Sequence, residues 1–145
     1  MTILQLKNHP VWQNLAEIIE KLDANNLVQK ILEECFYTIT GYWDEQDKYY
    51  EAITLPRTTT AELISSSVGF SNNKRFLRLQ FSLLAYESPI KKAWEASRLI
   101  EYKSSQAENH LIEKIGELVI IYNENMEFID ENWIFEIDSL LLDKR

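Results

Sequence analysis

The chain has 145 residues, enough for one domain that buries roughly two thirds of its unfolded surface without a disulfide or metal staple. A hydrophobic share of 46% excludes intrinsic disorder, and the single cysteine, Cys35, excludes an internal disulfide. The net charge of −8 makes phosphate backbones a poor overall match, because binding them draws on Lys and Arg.

Pro10 with Val11, Leu15, Ile18, Ile19 and Leu22 at helical spacing predicts a helix over 10–23, closed by Asn25-Asn26. Leu27, Val28, Ile31, Leu32 and Cys35 keep the period and predict a second helix over 26–36. Phe36, Tyr37, Ile39 and Tyr42 then favour extended chain, with Gly41 as an irregularity. Residues 43–51 read as an exposed turn or a short helix. Thr59 and Glu62 match a capping box ahead of Leu63 and Ile64, which predicts a short helix ended by Gly69 and Ser71-Asn72-Asn73. Over 75–86, Leu77, Leu79, Phe81 and Leu83 alternate with Arg78, Gln80 and Ser82, the pattern of a half-buried strand.

Ser88-Pro89 reads as the start of a helix reaching Tyr102, with a strand over 96–102 as the alternative. A further helix is predicted over 105–115, ended by Gly116. A strand over 117–122, a turn at 123–125, a strand over 126–129, a turn at 130–132 and a last strand over 133–137 complete the chain. Helices first, then strands mixed with helices, predict an α+β fold: a single domain over 1–145, with an antiparallel sheet and helices packed on it.

The motifs of chemistry are missing. No phosphate-cradling glycine loop, G-x-S-x-G or H-E-x-x-H occurs, so neither catalysis nor a cofactor is expected. His110 between Glu108 and Glu113 reads as helix surface rather than a metal site, and His9 as a residue just before a helix. Asp44, Glu45, Asp47 and Glu51 lack the glycine and spacing of a calcium loop. Cys35 reads as a small buried side chain. The start, MTILQLKNHP, has neither a basic n-region nor a long apolar core, so no signal peptide or membrane span is expected and a reducing cytoplasm is the expected setting.

The charge is uneven. Residues 74–103 carry seven bases, among them Lys74, Arg75, Arg78, Lys91, Lys92, Arg98 and Lys103, against three acids. The run from Gly116 to Asp143 carries eight acids and no Lys or Arg, on a stretch apolar enough to be ordered. Two acidic segments are flanked by aromatics. The first is YWDEQDKYYE, with Tyr42, Trp43, Asp44, Glu45, Asp47 and Tyr49 as candidate contact residues; the second is YNENMEFIDENW, with Glu124, Glu127, Asp130 and Glu131. Aromatics supply rigid contact area and carboxylates steer cationic partners. The plainer reading is that these acids are solvated turns and some of the aromatics are core.

In size, charge and these two segments the chain resembles the immunity proteins of bacterial toxin systems, those of contact-dependent growth inhibition in particular. The resemblance implies a protein that binds and neutralises a cognate basic toxin domain, a nuclease acting on RNA or tRNA being the expected case. The alternative is a small nucleic-acid-binding module that uses the basic segment 74–103.

Overall fold

A computed structural model describes residues 10–87 and 111–145. Two helices come first, α1 (Pro10–Lys21) and α2 (Ala24–Glu34). Asp23 separates them: its carboxylate accepts the Asn26 N–H at 3.0 Å and caps α2. Val28 and Leu32, one turn apart, are the buried stripe of α2.

The strands are β1 (Thr38–Trp43), β2 (Tyr49–Thr54), β3 (Thr60–Ser71), β4 (Lys74–Ala85), β5 (Glu113–Asn123), β6 (Phe128–Phe135) and β7 (Asp143–Lys144). They form two antiparallel sheets, one ordered β1-β2-β7 and one ordered β3-β4-β5-β6. The architecture is α+β with the helices at the N-terminal end, as the sequence predicts, although the strands divide between two sheets rather than one.

Both sheets share one core. Leu77, Leu79, Phe81 and Leu83 of β4 face Leu118 and Ile120 of β5, and against them pack Val28 and Leu32 of α2, Tyr50 and Ile53 of β2, and Trp133 and Phe135 of β6. α2 is also tied to the start of β3: Gln29 donates to the Thr59 carbonyl, and the Ala61 N–H donates to the Asn25 side chain.

The turns use left-handed residues. Asn72 and Asn73, with φ of 52° and 65°, sit between the paired Ser71 and Lys74 and close a two-residue hairpin. The β1–β2 and β5–β6 loops are near copies. In the first, Asp44 Oδ1 accepts the N–H groups of Gln46 and Lys48, and Asp47 has φ 60°. In the second, Asn123 Oδ1 accepts those of Asn125 and Glu127, and Met126 has φ 62°.

Gly116 on β5 lies opposite Phe135, and a Cβ there would stand 2.5 Å from the Ile134 carbonyl oxygen. Glycine is what lets β6 approach β5. Gly41, with φ 70°, interrupts β1. Ile39 and Tyr42, on either side of it, both pack on the core opposite Ile53 and Tyr50.

Several predicted elements are corrected. Residues 60–71 are strand, not a capped helix. The Thr59 hydroxyl donates to the Pro56 carbonyl at 2.6 Å inside a turn instead of capping, and Ala61 and Leu63 pair with Leu83 and Phe81. The predicted turn at 130–132 lies within β6, because Asp130, Glu131 and Asn132 pair with Ile121, Ile120 and Val119. The strands predicted over 126–129 and 133–137 are therefore one. Residues 113–115, predicted as the end of a helix, begin β5. Residues 43–51 are the ends of two strands around the Asp44 turn, with no helix. The helix or strand expected over 88–102, and His9 and His110, lie outside the described residues.

Candidate functional site

Among the described residues, β1 is one edge of its sheet and β6 is one edge of the other. A groove of about 660 Å³ runs between them, walled by consecutive residues of each, Thr38–Glu45 on one side and Glu131–Ile134 on the other. A smaller stretch of about 210 Å³ continues it past Tyr42, Asp44, Glu45 and Ile134 to Asp138. Five carboxylates line the two together: Asp44, Glu45, Glu131, Glu136 and Asp138. Among the described residues, no Lys or Arg lines either.

Tyr42 links the two walls. Its hydroxyl accepts the Phe135 N–H at 3.0 Å, and its ring meets that of Phe135 edge-on at 5.0 Å. Trp43 is 60% exposed at the rim, with its ring 4.9 Å from that of Tyr49. Trp133, stacked on Phe135 at 5.9 Å, lines the groove yet is only 8% exposed. Its indole N–H has no acceptor among the described residues. A buried donor left without a partner costs about 1–3 kcal/mol, so it calls for an explanation.

Alongside α2 the groove widens by about 510 Å³ toward Leu27, Ile31 and Phe128, where one base, Lys30, enters. Beyond Asp138 the surface changes sign at Lys48, Lys144 and Arg145. Lys144 is engaged there, donating to the carbonyls of Ile137 and Ser139.

Of the residues singled out from the sequence, Tyr42, Trp43, Asp44, Glu45 and Glu131 come together at the groove. Tyr49 is exposed beside Trp43, and Asp47 is taken up by the left-handed position of the turn. Glu124 and Glu127 lie on the β5–β6 turn, outside the groove. Asp130 does not line it; it pairs with Ile121 further along β6.

Glu136, Asp138 and Trp133 belong to the site although the sequence reading left them out of it. For Trp133, alternation through Glu131, Trp133 and Phe135 was the available signal, hidden by the turn-like Asp130-Glu131-Asn132; Glu136 and Asp138 follow β6 and carry no such signal.

Asp44 has a second task. Two backbone N–H groups hold its carboxylate, and the bond from Lys48, ahead of that from Gln46, lowers its pKa below the usual carboxylate range. A depressed folded-state pKa adds stability above the unfolded value, and that stability is lost as pH falls through the folded one, below about pH 4. Asp44→Asn should leave the turn formed, since Asn123 makes the same bonds in the sister loop, and should flatten this acid-side loss. Urea midpoints at pH 7 and pH 3 measure both effects. Asp44→Ala should lower stability at both pH values.

On the outer face of the larger sheet, Arg78 donates to Gln80, Gln80 to Glu117, and Lys114 pairs with Glu117 at 3.1 Å. Arg78, within the basic segment, and Lys114, beyond it, are thus engaged by neighbouring side chains. Lys91, Lys92, Arg98 and Lys103 lie outside the described residues. Among the described residues no cluster of side chains suits a metal ion, and no helix is long and apolar enough to cross a membrane.

No protein-family model, curated protein or solved structure matches the chain.

Proposed function

We propose that this is an immunity-type binding protein that captures and neutralises a basic toxin domain, a nuclease acting on RNA or tRNA in the first instance, and is not itself an enzyme. The observation that carries the reading is the groove between β1 and β6, lined by five carboxylates, with one described base, Lys30, only where it widens alongside α2. A concave surface of one sign focuses the field and speeds encounter with a partner of the other sign. Exposed Trp43 and Tyr49 at the rim supply the rigid aromatic area that interface centres favour. Fast capture suits a target that kills the cell producing it, and the cytoplasm is where such a target would act.

The test uses the protein as bait at low and at moderate salt in an extract of its own organism, followed by assay of what is retained. The expected result is one basic protein in near-equal amount whose nuclease activity is abolished by equimolar bait. Retention of nucleic acid alone, lost on nuclease treatment, would overturn the reading in favour of the basic segment 74–103.

A further inference from the structure

The backbone of β6 is directional at the groove. The Phe135 N–H points across to Tyr42, and in an extended strand every second residue directs its N–H and C=O to the same side. Trp133 and Glu131 therefore present their N–H and C=O groups to the groove, while Asn132 and Ile134 face β5. Neither Trp133 nor Glu131 has a backbone partner on the groove side among the described residues.

An open strand edge invites another chain, and proteins commonly protect theirs with lysine, proline or a bulge. Glu131–Phe135 has no lysine or proline, the bulge of β6 lies before it at Ile129, and β1 stands opposite instead of pairing with it. Trp133, whose buried indole N–H has no acceptor among the described residues, lines the same groove.

We propose that the partner docks as an extended, lysine- or arginine-containing segment added as a strand to the edge of β6 at Glu131 and Trp133, which no described strand pairs. This rests on the reading of the groove as the site for a cationic partner and specifies how that partner is held. Backbone bonds to Glu131 and Trp133, about 7 Å apart, fix the register. The partner's basic side chains face a groove lined by Glu45, Glu131 and Glu136. An acidic segment is excluded by the charge of the walls, and a bulky folded surface by the facing edge of β1.

The test uses two blocked octapeptides of alternating lysine and valine, one of them N-methylated at every second residue so that the charge stays and one backbone edge is lost. Amide and indole N–H resonances of the whole protein report the binding. The unmodified peptide should bind, shift the Trp133 indole resonance and slow exchange of the Glu131 and Trp133 amides. The methylated peptide should bind at least about tenfold more weakly, the loss expected from two missing hydrogen bonds.

Equal binding of the two peptides would overturn strand addition while leaving an acidic site for cations in place. Failure of both peptides to bind would also overturn it, whereas the capture reading fails only if the bait retains no basic protein.

Discussion

Reversing two charges in the groove, Glu45→Lys with Glu136→Lys, should slow association with the cationic partner by one to two orders of magnitude at low salt and flatten its salt dependence. Steering by a charged cleft raises association rates by about 10- to 1,000-fold, and screening removes most of that gain at physiological ionic strength. Both side chains are exposed, so folding tolerates the change. Asp44 is the wrong residue for this experiment because its carboxylate holds the β1–β2 turn. The control is Glu124→Lys with Glu127→Lys on the β5–β6 turn, which changes net charge equally but lies outside the groove. Stopped-flow association at two ionic strengths separates them. Equal slowing by both pairs would assign the effect to net charge and remove the groove from the account.

Phe81→Ala should lower the unfolding free energy by about 3–5 kcal/mol, the range for emptying a fully buried aromatic site. Phe81 has no exposed surface, and on β4 it lies between Leu63 of β3 and Leu118 of β5. The core it anchors also receives α2 and the smaller sheet, so little can collapse into the space it leaves. Against a typical stability of about 5–15 kcal/mol, the variant should sit near its folding threshold. Urea unfolding measures this directly, and a loss under about 1.5 kcal/mol would contradict a core shared by both sheets.

Local patterns made some of this structure legible in the sequence. Periodic Leu27, Val28, Ile31 and Leu32 announce α2, and alternating Leu77, Leu79, Phe81 and Leu83 announce β4. Their burial follows from spacing alone. Where local chemistry competed with long-range pairing, the pairing won. Thr59 and Glu62 look like a helix cap, but α2 binds the Thr59 carbonyl and β4 supplies the partners that make 60–71 a strand. Asp130-Glu131-Asn132 has the composition of a turn, yet β5 holds it extended.

The candidate site was legible in halves. Trp43, Asp44, Glu45 and Glu131 stand out by composition, but nothing in the sequence says that β1 and β6 end as edges of different sheets and face each other. Glu136, Asp138 and the unpartnered Trp133 indole gain their meaning only from that juxtaposition. The division into two sheets was likewise invisible, since it rests on long-range pairing, including that of the two-residue β7 with β2, which local patterns do not report.

The central claim is that the groove between β1 and β6 is where a cationic protein binds. The most direct measurement is amide hydrogen exchange of the protein alone and in complex with the captured partner. The account predicts slowed exchange concentrated in residues 38–45 and 131–138, with the outer face of β4 around Arg78 unchanged. Protection at Arg78 and Gln80, with none at 131–138, would contradict it.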